Sequence, residues 1–276
     1  DVIEVNKYPL PQIDEMTKGN RKIGLGVMGW ADALIRLGIP YDHEEAIELA
    51  KQVMKFIRDE GRCASEILAE ERGVFPNYKG SIYEDIGIKL RNATITTIAP
   101  TGTISMIAGC SSGVEPLFAL AYVKHVLDGA ELVEVNPLFK EVLIEKGFYD
   151  EDLMRVVAKK GSVKGIPYER LPEELQRVFR TAHDISPEWH VKMQAAFQEY
   201  TDNAVSKTVN LPHDASEEDV LKVYLHAYEL GCKGSTVYRD GSRESQVLTA
   251  GIESGGQEEA AGKEETPAFI PRPRPR

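Results

Sequence analysis

Apolar residues recur at helical spacing in some stretches of the chain and cluster with β-branched residues in others, and these switches predict its elements. Residues 1–11 read as an extended lead-in, because Pro9 and Pro11 forbid a helix between them. Gln12 to Leu37 is helical in pattern, interrupted near Gly19 and Asn20. A longer helix opens with Asp42 as N-cap and Glu45 three residues on, a capping-box spacing. Ile47, Ala50, Val53, Met54 and Ile57 carry it forward, Gly61 is a candidate break, and Gly73 stops it after Arg72. Cys63 lies on this helix and reads as a core thiol. Residues 74–90 form a connection with a short polar helix near Tyr83. Ala93 to Ala99 is rich in Thr and Ile, which suits a strand, and Pro100 ends it.

Beyond that point Leu117 to Val126 reads as a second strand, and residues 136–160 as two helices broken at Gly147. Residues 161–172 are loop. Ser186 and Pro187 open a helix whose apolar stripe is Trp189, Met193, Ala196, Phe197 and Tyr200. His190 falls beside the stripe, where a satisfied core or surface histidine is the ordinary outcome. Ser206 to Leu211 is a short strand stopped by Pro212. Ser216 caps a further helix with Val220, Val223, Tyr224 and Ala227 inward and Gly231 as its stop. Gly234 to Tyr238 is a last strand, closed by the turn from Arg239 to Arg243.

Composition narrows the class. The 276 residues, 42% of them hydrophobic, suffice for one large core or two modest ones. A formal net charge of −11 disfavours non-specific nucleic-acid or anionic-membrane binding, and no apolar run is long enough to span a bilayer. Cys63, Cys110 and Cys232 lack CxxC spacing, so neither a disulfide framework nor a metal site is suggested, and a cytoplasmic setting fits best. From about Leu248 periodicity disappears into Gly, Glu, Ala and Lys. Residues 1–248 therefore read as the folded domain and 249–276 as a disordered linker, in a chain that looks cut from something longer.

The stretch with candidate chemistry is Asn92 to Pro116. After the strand and Pro100 come Thr101, Gly102, Thr103, Ile104 and Ser105, with Met106 to Ala108 read as the first turn of a short helix. The first amides of a helix have no internal partners and face whatever lies in front of them, which favours an anion. Hydroxyls at Thr101, Thr103 and Ser105 add donors, and Gly102 lets a ligand approach the backbone. The loop reads as a phosphate cradle for a nucleotide or another phosphorylated ligand. A plain strand-to-helix turn with capping hydroxyls is the competing reading. Gly109 to Pro116, with paired glycines and serines before Glu115 and Pro116, adds a tight loop ending in a carboxylate. Gly24, Gly26 and Gly29 spell GxGxxG, but a charged segment precedes them and a helix follows Pro40. The dinucleotide fingerprint requires strands in both places, so close helix packing is the preferred explanation and a nicotinamide dehydrogenase is disfavoured.

Taken with the run Met193 to Gln198, the Ser206 to Pro212 segment and the ending Thr236 to Gly241, this stretch resembles ribonucleotide reductases of the adenosylcobalamin-dependent class II type. The resemblance covers roughly residues 1–248 and implies half of a ten-stranded α/β barrel, helix-rich, the C-terminal half of the catalytic domain. It implies conversion of a ribonucleoside di- or triphosphate to the deoxyribonucleotide by a radical mechanism, with adenosylcobalamin as cofactor. Pro100, Thr101, Gly102, Thr103, Ile104 and Ser105 match the loop that holds the substrate phosphates. Tyr238 is followed by Arg239 where class I relatives carry a tyrosine pair, which favours class II. The family's radical cysteine lies in an Asn-x-Cys-x-Glu motif that this chain lacks. No catalytic residue and no metal ligand is therefore assigned here, and the chain alone is expected to be inactive until an N-terminal half of the barrel is supplied. The resemblance also admits a homodimer in the complete enzyme. A non-catalytic nucleotide-binding or interaction module is the alternative.

Overall fold

The computed structural model describes residues 1–125 and 131–242, so Val126, the end of the expected folded domain from Arg243 to 248, and the expected linker at 249–276 lie outside the described residues. A helical turn, α1 (Val2–Val5), breaks the extended lead-in, and Pro11 stands at the first position of α2 (Pro11–Asn20). Arg21 ends α2 in the left-handed region, and the chain then runs extended into α3 (Trp30–Leu37). The expected helix across the GxGxxG segment is thus replaced by an extended one. Leu25 bridges Thr96 in parallel, with Leu25 N–H on Ile95 O at 2.7 Å and Thr97 N–H on Leu25 O at 2.9 Å. The glycines serve strand packing, not helix packing. A Cβ on Gly26 would lie 1.9 Å from the Thr97 carbonyl oxygen, and one on Gly24 2.4 Å from Thr97 Cγ2.

α4 (Glu44–Arg72) is continuous through Gly61, whose missing side chain accommodates Ile95. Its N-cap is His43, not Asp42, because Asp42 is drawn into an ion pair with Arg180. Cys63 is exposed on α4 and is not a core thiol. The connection after α4 holds a short 3-10 turn and α5 (Ile82–Asp85). α6 (Gly102–Ala108) begins four residues earlier than the sequence suggests, directly after Thr101. β1 (Ala121–His125) pairs antiparallel with β2 (Glu131–Val135), a strand the sequence pattern does not reveal. α7 (Pro137–Lys146) and α8 (Glu151–Lys160) fall on either side of Gly147 as expected, and α9 (Glu173–Val178) follows.

α10 (Pro187–Gln198) lies at the centre and is buried nearly all round. Its glutamines satisfy backbone carbonyls of neighbouring segments. Gln194 Nε2 donates to Val205 O and Gly234 O at 3.0 and 2.6 Å, and Gln198 Nε2 to Asn203 O at 2.8 Å. β3 (Thr208–Leu211) pairs in parallel with β4 (Thr236–Arg239) across α11 (Glu217–Glu229), which Ser216 and Asp219 open with a full capping box. On α11 Val223 and Ala227 are buried, whereas Tyr224 is 48% exposed and does not face inward. Val205, just upstream of β3, bridges Ile98 in parallel. Extended segments around Leu25, Thr96 to Ile98, Val205 to Leu211 and β4 thus form an open parallel array joined by helical crossovers. No closed barrel forms among the described residues.

Two large cores flank the array. Trp30, Leu34, Met54, Ile98, Met193 and Phe197 unite α3, α4 and α10, with Trp30 edge-on to Phe197 at 5.1 Å. Leu120, Phe139, Leu143, Met154 and Phe179 unite the antiparallel β1–β2 pair with α7 and α8. Gly26→Ala drives a methyl group into backbone and should lower stability by about 3 kcal/mol or more, at the upper end of overpacking costs. Gly102→Ala, with open space around it, should change it by less than about 1 kcal/mol. Urea denaturation midpoints of the two variants check this contrast.

Candidate functional site

The Asn92 to Pro116 stretch is suspended between hydrogen bonds to its neighbours. Its entry is fixed by Asp202, whose Oδ2 accepts from Ile95 N–H at 2.9 Å and Thr96 N–H at 3.2 Å while Oδ1 meets Arg62 Nη2 at 3.0 Å. Ile98 then joins the parallel array, donating to Ala204 O and accepting from Ser206 N–H at 2.9 Å. At Pro100 the ladder ends for want of an N–H. Thr101 turns the chain with φ of 56°, a left-handed conformation rare outside glycine. Its Oγ1 accepts from Gly113 N–H at 2.7 Å, which ties the outgoing limb of the loop to the returning one.

The six expected site residues divide into two groups. Pro100, Gly102, Thr103 and Ile104 are exposed, and the N–H groups of Gly102, Thr103 and Ile104 meet no acceptor among the described residues. Thr101 and Ser105 are turned to structural use. Ser105 is 1% exposed, and its hydroxyl pairs with Ser112 Oγ at 2.9 Å. The free donors are therefore a run of three backbone amides at the start of α6, with Thr103 as the exposed hydroxyl among the three expected.

The returning limb blocks the site that GxGxxG would have offered. Ser111 O accepts from Gly29 N–H at 2.8 Å, Gly113 O from Trp30 N–H at 3.3 Å, and Asp32 Oδ2 from Ser111 N–H at 2.7 Å. The N-terminus of α3 is occupied by the protein's own loop, which leaves no place for a dinucleotide pyrophosphate. The limb ends at Glu115. Its Oε1 accepts from Thr208 N–H and its Oε2 meets Lys207 Nζ, both at 2.6 Å. Tyr41 OH donates to Val114 O at 2.6 Å just before it.

The ribonucleotide reductase barrel-domain family matches residues 1–238 of the chain. The chain belongs to that family. It is 58% identical over 251 residues to the vitamin B12-dependent ribonucleoside-diphosphate reductase of Thermoplasma acidophilum, covering 91% of this chain and 32% of that protein. The protein of the same name from Mycobacterium tuberculosis is 49% identical over 250 residues, 91% of this chain and 36% of its own length. Among solved structures, the alpha subunit of the Actinobacillus ureae class Id ribonucleotide reductase superposes with a TM-score of 0.72 at 28% identity, over 87% of this chain and 43% of that one. The chain spans about a third of the length of these curated relatives.

Within the region matched to the barrel-domain family, the group that sequence patterning passed over is Lys207. Val205, Lys207, Val209 and Leu211 are the buried positions of the extended segment that runs into β3, while Ser206, Thr208 and Asn210 are not. A lysine in the inward register of an otherwise apolar strand requires partners, and that alternation is the signal that could have found it. Lys207 is fully buried and gives its three protons to Glu115 Oε2, His190 Nδ1 and Thr208 O, each at 2.6 Å. Burial pulls its pKa down, and the Glu115 carboxylate acts against that. His190 is buried as well, and its Nε2 reaches Ala182 O at 2.9 Å. With Nδ1 accepting from an ammonium, the ring is the neutral Nε2–H tautomer, a satisfied core histidine as expected. The thiol of Cys232 is pushed up to about 11 by burial, which removes it as a nucleophile near neutral pH.

Burial and then the Lys207 charge lower the pKa of His190 from 6.5 to about 3. Above pH 6.5 the ring is neutral in both folded and unfolded chains. Between these values the unfolded chain binds a proton that the folded chain does not, so stability falls as pH falls, at up to about 1.4 kcal/mol per unit from this group. Nitrogen chemical shifts of the His190 ring should stay those of a neutral imidazole at pH 5 in the folded chain. A titration of that ring near pH 6.5 would contradict the assignment.

Proposed function

We propose that the chain is a C-terminal half-barrel segment of an adenosylcobalamin-dependent ribonucleotide reductase and supplies the loop that holds the substrate's phosphates. The observation that carries this reading is the run of unpaired, solvent-facing amides at Gly102, Thr103 and Ile104, inside the region matched to the reductase barrel. Pro100 frees the chain from the ladder, Thr101 and Ser105 lock the turn, and the three amides with the Thr103 hydroxyl face the anion. A ribonucleoside diphosphate is the substrate suggested by the names of the relatives. Their names also suggest the cobalamin cofactor. A cavity of about 460 Å³ lies at the C-terminal end of α6, lined by residues including Asp32, Met106, Cys110 and Leu117 and by none of Pro100 to Ser105. That suits a small ligand and not a corrinoid, so this cavity does not fit the cofactor.

The remaining length of the relatives would complete the barrel and bring the radical cysteine, for which none of Cys63, Cys110 and Cys232 has the motif. The same resemblance admits a homodimer in the complete enzyme. A cytoplasmic setting fits three free thiols, and no helix among the described residues is long and apolar enough to cross a membrane.

The reading is tested by combining the chain with the N-terminal portion of a relative, a ribonucleoside diphosphate, adenosylcobalamin and a dithiol. Deoxyribonucleotide should form. Binding of nucleotide without product would instead mark a non-catalytic binding module. Gly102→Asp places a carboxylate among the three amides and should raise the nucleotide Kd at least about tenfold, equivalent to about 1.4 kcal/mol. Unchanged affinity would remove the phosphate role from this loop.

A further inference from the structure

The hydrogen-bond ladder between the Thr96 to Ile98 segment and the extended segment that leads from Val205 into β3 follows the parallel pattern up to one point. Ile98 N–H donates to Ala204 O and Ser206 N–H to Ile98 O. The next donor on that strand is Thr208 N–H, and its partner by register would be the carbonyl of Pro100. The chain has already turned away at Thr101. Thr208 N–H is met instead by Glu115 Oε1 at 2.6 Å, from a residue fifteen positions further along. A side-chain carboxylate thus completes the ladder at the place where the backbone leaves it.

The carboxylate is held in that orientation from behind. Its other oxygen meets Lys207 Nζ, whose remaining protons go to His190 Nδ1 and Thr208 O, so every donor of the ammonium is used. The Lys207 side chain is 0% and that of Glu115 24% exposed. His190 is itself fixed through Ala182 O, and Ala182 N–H binds Leu117 O, two residues beyond Glu115. The end of the loop is therefore enclosed by a closed circuit of contacts.

We infer that Lys207 and Glu115 are positioning residues for the phosphate loop, the buried ammonium aiming a carboxylate that stands in for Pro100 on the β3 strand and so sets where the loop re-enters the core. This rests on the phosphate reading of the loop. It assigns the pair a role beyond stability: Gly113 N–H ties the returning limb to Thr101 Oγ1, and Glu115, two residues further on, sets where the joined limbs sit against β3.

The test uses the complete enzyme, assembled from this chain and the remainder of the reductase. Lys207→Met combined with Glu115→Gln removes both charges together and leaves no buried ion without a partner, so it should fold where the single variants fail. The amide that replaces the Glu115 carboxylate retains an oxygen for Thr208 but is no longer aimed. The double variant should raise KM for the ribonucleotide at least tenfold, change kcat less than threefold, and leave the affinity for the matching nucleoside without phosphate within twofold. A purely structural role would weaken nucleotide and nucleoside alike, and that result, or an unchanged KM in a folded double variant, would overturn the inference. Gly102→Asp run in parallel separates the two claims. If it leaves KM unchanged, the phosphate reading itself fails; if it raises KM and the double variant does not, only the positioning role fails. Should the double variant not fold, hydrogen exchange of the unmodified enzyme with and without inorganic pyrophosphate decides. Protection should extend from residues 101–116 to 206–209, and protection confined to 101–105 would overturn the coupling.

Discussion

A backbone amide removed from water must find an acceptor, and a proline in a parallel ladder takes one donor away and diverts the chain that carries the next acceptor. The Asn92 to Pro116 stretch is built around that constraint. At its start, where Ile95 and Thr96 have no strand to donate to, Asp202 Oδ2 accepts both amides. At its end, where the ladder has lost Pro100, Glu115 accepts from Thr208. Both acceptors are charged and both are held by a cation, Arg62 in one case and Lys207 in the other. Charge-assisted bonds of this kind are about twice as strong as neutral ones, which allows two side chains to replace the strand contacts that the loop gives up.

The two cations are not equivalent. Arg62 is 35% exposed, so its pairing with Asp202 is screened by water. Lys207 is wholly buried, and the cost of removing its charge from water is recovered only because all three protons are used. The surface pairs along the helices, such as Lys55 with Asp59 or Lys222 with Glu218, belong to a class that contributes about 0–1 kcal/mol each. They do not decide the fold. Lys207→Met together with Glu115→Gln would fill the volume and leave no charge unpaired, so the buried pair fits a role in orienting Glu115 better than one in net stability.

Legibility in the sequence followed the range of the interaction. α10, α11, the break at Gly147 and the arrest at Pro100 depend on residues within a turn of one another, and local chemistry was sufficient to place them. Gly24 and Gly26 look the same in a tight helix contact and in a strand pressed against Thr97; only the partner strand, about seventy residues away, distinguishes them. Asp42 had the chemistry of an N-cap, but Arg180 was out of sight and took it. Tyr224 sits at helical spacing with Val220 and Val223, yet the apolar partners reach only as far round α11 as Val223 and Ala227. In the candidate site, unpaired amides just past Pro100 were readable from the proline and a nearby helix start, although that start falls at Gly102 and not at Met106. The diversion of Thr101 and Ser105 into the loop's own framework was not, since Gly113 and Ser112 could as well have faced elsewhere.

That diversion bears on how such a loop would act on a phosphate. Thr101 holds a left-handed backbone at a cost of about 1–2 kcal/mol for a residue with a Cβ, and the bond from Gly113 N–H to its hydroxyl offsets a comparable amount. At the other end of α6, Gly109 adopts φ of 67° without such a cost. α6 is thus fixed at both ends by the chain itself, before any ligand is present. Ile104, Met106 and Ile107 on it are 55%, 75% and 82% exposed, so its own packing contributes little to holding it in place. The latches at Thr101, Ser105 and Glu115 hold it instead. Donors already aligned need no reorganisation when an anion arrives, which is the condition under which backbone amides bind charge most effectively.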